Sequence, residues 1–310
     1  MDENEPQNSF LPVLNRQASK DEAAPLANVA CPLIRDLVDA GSHVFRLCHE
    51  RSSDKDEQDF PLLASLLHVL DMGDATEVLI RESCGWPAAI LARSAFEALL
   101  TIDFLLEGDT RRRSFCWWVG DIHRRMTTFE MLDPETPFGA QFRRAIADDK
   151  TLKGFGDTRP DVARRGWEEC QRMLGRPEHA IIEEEYQRLR QRNSRPPNWF
   201  SLFGGPPNIA ALANHLRRGT QYYLMYRQWS NIVHGAELTR FIRTGPNFGV
   251  IRPIRSTKLL SDVAFHTAHF VEDAIGMMAG HFLSDELLRS VLKPDLGDRF
   301  EQLRDLAGRC

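Results

Sequence analysis

Arg227, Ser230 and His234 stand three and four residues apart within Tyr222–Gly235, a stretch that also holds three of the chain's four tyrosines. On a helix, Tyr222, Tyr226, Trp229 and Val233 share one stripe, and Tyr223, Arg227, Ser230 and His234 share its neighbour. The aromatic stripe reads as core. The other sets a cation, a hydroxyl and an imidazole in a row beside that core, and Gly235 ends the helix after them. Such a row suits RNA cleavage without a metal. An imidazole with an unperturbed pKa of about 6.5 can take a proton from a 2′-hydroxyl or give one to a leaving 5′-oxygen. A guanidinium can grip a phosphate with two parallel hydrogen bonds and offset the charge of the transition state. Arg227, His234 and Ser230 are therefore the candidate catalytic residues, with Tyr226 and Tyr223 in support. The competing reading is a core helix whose polar groups are satisfied inside the fold.

Three further groups could contribute. Arg93 and Glu97 lie four apart on the most apolar long run of the chain, Ala88–Leu106. Charges on such a helix are expected to be buried and paired, either as a structural ion pair or facing the cleft of His234. After His234, the cations Arg240, Arg243, Arg252, Arg255 and Lys258 fall between Leu238 and Leu260 with no acid among them. They form a local basic patch fit for a nucleic-acid backbone. Asp262, His266, His269 and Asp273 line one helical face. That face cannot by itself wrap a metal, so a polar seam between helices is the expectation and neither a metal nor a cofactor is assigned.

Helices must carry these residues. Apolar spacing predicts helices over 26–50, 60–84, 88–106, 110–132, 208–216, 220–234, 258–283 and 295–307. Gly73 is expected to bend or divide the second. The apolar stripes of 88–106 and 220–234 call for each other as packing partners. Gly276 and Gly280 would admit a further helix at close range. Residues 133–205 are highly charged and rich in proline, and read as a helical insertion or lid with shorter helices such as 178–191. Residues 1–26 read as a flexible tail, 27–310 as a single helical domain, and 245–253 as a loop rich in Gly and Pro.

Composition narrows the classes. Hydrophobic residues are 42% of the 310, enough for a packed core, while Arg93, Glu97 and Asp103 inside the most apolar run argue against a membrane span. The formal charge of -5 provides no global attraction to nucleic acid, so any such binding must be local. The start Met1-Asp2-Glu3-Asn4-Glu5 lacks the basic, then apolar pattern of a signal peptide, and the six cysteines form no CxxC pair. Reduced thiols in a cytoplasmic protein are expected.

With these residues in view, the chain over about residues 60–280 resembles an uncharacterised bacterial family of helical proteins, a domain of unknown function. The resemblance rests on Arg93-Ser94-x-x-Glu97 and on Tyr226-x-x-x-Ser230-x-x-x-His234-Gly235. The second stretch also looks like the signature of the HEPN superfamily, an arginine followed after four to six residues by a histidine. Arg227 and His234, with six between, meet its long limit, and Gln228 fills the place after the arginine. The resemblance implies an all-α, HEPN-like helical bundle with a helical insertion, acting as a homodimer that brings two motifs together. It implies a metal-independent ribonuclease of the phage-defence or toxin kind, with RNA and not DNA as partner. The alternative is a non-catalytic helical dimer that binds RNA, a nucleotide or a protein.

Overall fold

The computed structural model describes residues 13–52, 57–152, 159–192, 195–233, 241–245, 248–251, 253–283 and 296–307; for 243–245, 248–251, 296 and 307 the backbone alone is described. The fold is all-α. Its helices are α1 (Arg16–Arg51), α2 (Phe60–Arg81), α3 (Gly85–Glu107), α4 (Thr110–Leu132), α5 (Pro137–Asp148), α6 (Pro160–Leu174), α7 (Pro177–Arg192), α8 (Ile209–His215), α9 (Gly219–Gln221), α10 (Arg227–Val233), α11 (Leu260–Phe282) and α12 (Leu296–Ala307). A 3-10 turn spans Trp199–Gly204, and a π-helical turn, Tyr222–Tyr226, joins α9 to α10. No helix among the described residues is long and apolar enough to cross a membrane.

The chain divides into two compact units, one of residues 1–55, 62–103 and 216–310, the other of 56–61 and 104–215. The stretch 133–205, expected as an insertion or lid, falls within the second unit.

In the first unit α1 packs along α11. Leu33, Ile34, Leu37 and Val44 of α1 and Val263, Phe270, Val271 and Ile275 of α11 are fully buried. Close approach depends on two glycines. A Cβ on Gly41 would stand 2.4 Å from Leu70 Cδ2 and 3.3 Å from Ile275 Cδ1, and one on Gly73 would stand 2.9 Å from Val271 Cγ2. Gly73 therefore does not divide α2, which runs unbroken from Phe60 to Arg81; its missing side chain makes room for α11. Gly276 and Gly280 do not do what their spacing suggested, because a Cβ on either would meet nothing within 4 Å.

Helix α1 corrects the N-terminal expectation from residue 16 onward, while residues 1–12 of the expected tail lie outside the described residues. Residues 16–26 are helical, and the Asn15 side chain caps the start by accepting the Ala18 N–H at 3.1 Å. Pro25 lies inside the helix, yet Ser19 and Ala23 are buried on its inner side. The first turns are also tied down: Lys20 pairs with Glu82 at 2.6 Å, Thr257 donates to Glu22 at 2.8 Å, and the Ile254 N–H donates to the Val13 carbonyl at 2.8 Å. A second correction concerns the expected loop 245–253. It takes part in an antiparallel hairpin of β1 (Ile242–Gly245) and β2 (Phe248–Ile251), with Ile242 opposite Ile251. Ile, Val and Phe at these positions suit an extended backbone.

Arginine–carboxylate ties fasten the helices to one another. Glu77 of α2, 3% exposed, accepts from Arg35 of α1 at 2.7 Å and from Arg81 one turn on. Burial pushes its carboxyl pKa up, but the Arg81 and Arg35 guanidiniums outweigh that and hold it below the usual range. Arg218, largely buried, bridges Asp103 of α3 at 2.7 Å and Asp273 of α11 at 2.8 Å. Arg299 of α12 pairs with Asp36 of α1 at 2.6 Å.

The second unit is organised round α4, which packs on α5, α6, α7 and the 3-10 turn. Phe115, Val119 and Ile122 are its buried face. His123 lies flat on Tyr186, centroids 4.0 Å apart, and bonds Glu183 at 2.7 Å, which fixes α7 to α4.

Two outcomes follow. Gly41→Val is expected to destabilise the protein by about 1–3 kcal/mol through overpacking, read as a lower urea midpoint; an unchanged midpoint would contradict the packing described. Glu77 has a folded pKa below its unfolded one, so its contribution is present above about pH 4.3 and lost as pH falls through the folded value. Urea midpoints taken from pH 7 down to pH 3 should fall less steeply in Glu77→Gln than in the wild type. Parallel slopes would show that Glu77 carries no such linkage.

Candidate active site

Helix α3 is apolar on nearly every side: Ala92, Ala95, Phe96, Leu99 and Leu100 are all buried. Arg93 and Glu97, one turn apart, are the polar exceptions that face α10. The π turn bears on what they meet. Its extra residue per turn leaves the Arg227 N–H donating to the Tyr222 carbonyl, five residues back. The buried set is Met225, Tyr226, Trp229 and Ile232. Val233, expected in the core stripe, is 43% exposed, and Ile232 takes the inner position instead.

Arg93 is the centre of the cluster. Its Nε donates to Ser230 Oγ at 2.9 Å, and Nη2 donates to the Tyr226 hydroxyl at 2.7 Å and pairs with Glu97 Oε1 at 2.9 Å. The guanidinium carbon also stands 4.5 Å from the Tyr226 ring centroid. Tyr226 passes its own proton on, donating to Glu97 Oε1 at 2.8 Å. Ser230 donates to the Tyr226 carbonyl at 2.8 Å, so its hydroxyl accepts from Arg93 with its own proton already committed. Burial, then the Glu97 charge, pushes the Tyr226 phenol up to about 12, so it remains a donor at neutral pH. Arg93 Nη1 has no partner among the described residues. Neither charge is deeply buried: the Arg93 side chain is 21% exposed and that of Glu97 is 42% exposed. The expected pairing is present, but solvent reaches the Glu97 carboxylate, so its loss costs less than the about 3–5 kcal/mol of stranding a fully buried charge.

A chain of rings backs the cluster. Tyr222 stacks on Tyr226 at 5.1 Å, Tyr226 meets Phe96 at 5.9 Å, Phe96 meets Phe270 at 5.3 Å, and Phe270 stacks with His266 at 5.9 Å. These contacts set α3, the π turn and α11 against one another. Arg227 and Tyr223 point elsewhere. Both are exposed, and no hydrogen bond or ion pair holds the Arg227 guanidinium among the described residues. His234 follows Val233 and lies outside the described residues.

The basic stretch is only partly in view. Arg240 and Arg252 lie outside the described residues, and Arg243 is described by its backbone alone, in β1. Arg255 is not a free cation: it donates to the Glu82 carbonyl at 2.7 Å, pairs with Glu82 Oε2 at 3.1 Å and is 16% exposed. Lys258 is exposed. It borders a cleft of about 840 Å³ that runs past Trp86 and along Gln228, Trp229 and Ile232 of α10.

Asp262, His266, His269 and Asp273 do not act as a set. Asp273 is taken by Arg218, His269 lies 3.4 Å from Glu272 and stacks on Phe300, and His266 is packed between Trp229 and Phe270. Burial lowers the His266 pKa, with Asp262 opposing and His269 adding to the shift, so the ring is neutral at pH 7. Among the described residues no three His, Cys, Asp or Glu side chains gather as metal ligands would. Sequence reasoning missed Arg218 and Asp103. Their signal is an arginine and an acid far apart in the chain, which no local pattern connects.

Residues 59–249 match the model of DUF5677, a family of unknown function. The chain belongs to this family. The matched span contains both halves of the cluster, Arg93 and Glu97 on one side and Tyr226 and Ser230 on the other, and so agrees with the expected kinship to a domain of unknown function. No curated protein and no solved structure matches the chain.

The DUF5677 cluster makes a direct energetic claim. Arg93→Gln and Tyr226→Phe share one hydrogen bond, so their effects on stability should not add. A double-mutant cycle by urea denaturation is expected to give a coupling of about 0.5–3 kcal/mol. A coupling indistinguishable from zero would mean that the contact carries no stability.

Proposed function

We propose that this DUF5677 protein is a HEPN-like, metal-independent endoribonuclease of the cytoplasm that works as a homodimer, as a phage-defence or toxin effector. The observation that carries the reading is the Arg93–Glu97–Tyr226–Ser230 network. It joins the two separate sequence motifs at the base of the helix that leads to His234. Within it, Arg93 keeps Nη1 open and is reached by solvent, while Arg227 stands exposed one residue after Tyr226. A guanidinium offsets the charge that builds on a phosphate in the transition state, and solvent reaches both of these arginines.

In the reaction, His234 takes the proton of an RNA 2′-hydroxyl. The 2′-oxygen attacks the adjacent phosphorus, the P–O5′ bond breaks, and the leaving 5′-oxygen takes that proton from the His234 imidazolium. The products are a 2′,3′-cyclic phosphate and a 5′-hydroxyl. Arg227 and Arg93 steady the phosphate oxygens. Ser230 and Glu97 act as positioning residues, since both are spent on Arg93 and Tyr226. DNA lacks the attacking group and is not a substrate. Tyr223 and Leu224 of the π turn, 51% and 64% exposed, leave apolar surface uncovered that suits a second copy.

One observation favours a binding module instead. Three of the Arg93 hydrogen bonds go to partners inside the fold, which is how a purely structural arginine behaves. The experiment separates the two. Purified protein is incubated with single-stranded RNA, with and without EDTA, beside folded His234→Ala and Arg227→Ala variants. The expected result is cleavage that survives the chelator and falls by about 10²–10⁴ in His234→Ala. Full-rate cleavage in His234→Ala would refute the mechanism. RNA binding without cleavage, weakened by Arg227→Ala, would establish the binding module.

A further inference from the structure

The unit of residues 104–215 holds a pocket of about 440 Å³ in which the ribonuclease reading has no part. Its walls are aromatic. Phe104 and Trp199 meet edge-on at 5.7 Å, and Phe203, 40% exposed, also lines the pocket. The conformation that presents Phe203 is a strained one. Phe203 has φ +56°, in the left-handed region that a side chain disfavours, and Gly204 follows at φ +78°. A buried carboxylate holds it there: Glu185 Oε1 accepts the Phe203 N–H at 3.1 Å and is itself fixed by two hydrogen bonds from Arg188, at 2.5 and 2.7 Å. A strained aromatic kept half in water by a buried acid is costly unless something uses the ring.

The charge of the pocket is one-sided. No carboxylate lines it among the described residues. Arg113 and His215 are both held by Glu107, at 3.2 and 2.7 Å. Arg112 is different. Its guanidinium lies 5.5 Å from the Phe203 ring centroid, it is exposed, and no carboxylate pairs with it among the described residues. It is a cation near the Phe203 ring in the lining of the pocket, with no carboxylate partner among the described residues. The remaining reactive group is inert, since burial pushes the Cys116 thiol up to about 12. The pocket is therefore built for binding, and its volume is that of a small-molecule site, about 300–1,000 Å³.

We propose that this pocket binds a small planar ring that carries an anionic group, a phosphate or a carboxylate. The ring lies among Phe104, Trp199 and Phe203, and the anion meets Arg112. The proposal does not depend on the ribonuclease reading.

The test is calorimetric titration of the full chain with adenosine 5′-monophosphate and with 4-hydroxybenzoate, beside adenosine and inorganic phosphate as ring-only and charge-only controls. At least one ring-bearing anion should bind saturably and more tightly than its parts, and whichever binds identifies the anion. Arg112→Gln, at an exposed position, should weaken that binding about tenfold or more, as loss of a charge-assisted hydrogen bond does. Ala211→Phe, which fills the pocket, should abolish it. No saturable binding of either anion would overturn the proposal, as would binding that Arg112→Gln leaves unchanged. If Ala211→Phe fails to fold by circular dichroism, the Arg112 variant decides alone.

Discussion

A guanidinium placed on an apolar helix has to be met by other groups, and in this protein the demands of Arg93 organise the site. Solvating it takes a hydroxyl from Ser230, a phenol from Tyr226 and a carboxylate from Glu97. Glu97 comes from α3 itself, while the π turn and α10 bring Tyr226 and Ser230 to it. The π turn lies immediately before α10, and a π turn shifts the side chains that follow it by a fraction of a turn relative to a regular helix. The ring chain from Tyr222 to His266 then keeps that arrangement from sliding. Burial and hydrogen bonding work together here: the apolar contacts set the distance between the helices, and the polar ones set their register.

The same device recurs in the first unit. Glu77 takes two arginines between α1 and α2, Arg218 takes two acids between α3 and α11, and Glu82 takes Lys20 and Arg255. Each of these groups reaches a segment far off in sequence, Glu77 through Arg35. A pair of this kind adds little stability when solvent reaches it. Removing one partner from the more buried ones would strand a charge, so they specify which helix faces meet more than they strengthen the meeting. That division explains how Arg255, part of an apparently basic patch, serves the fold and not a ligand.

The parts of the fold written in local periodicity were legible in the sequence. Helices α3 and α11 announce themselves by apolar runs too long for strands, and the meeting of α3 with α10 follows from their matching stripes. What escaped is what depends on non-local partners. The first turns of α1 contain Pro25 and many polar residues, and are held by Glu82, Ile254 and Thr257, which no N-terminal pattern reveals. The hairpin looked like a loop because its strands are short and flanked by glycine and proline. Gly73 read as a breaker because the residue it makes room for, Val271, is on another helix. At the site, Arg93, Glu97, Tyr226 and Ser230 were all named from spacing. Their roles were not, because a single π turn leaves no mark on composition and a regular helix puts Arg227 and Ser230 side by side.

The central claim is that Arg93 is immobilised by Ser230 and Tyr226 while Arg227 is free in solvent. Hydrogen exchange of the arginine Nε–H groups, followed by NMR on protein labelled at arginine side chains, tests it most directly. The account predicts an Arg93 Nε–H protected from exchange at neutral pH, with the protection lost in Ser230→Ala, and an Arg227 Nε–H that exchanges as fast as in a free peptide. An Arg93 signal that exchanges as fast as that of Arg227 would contradict it.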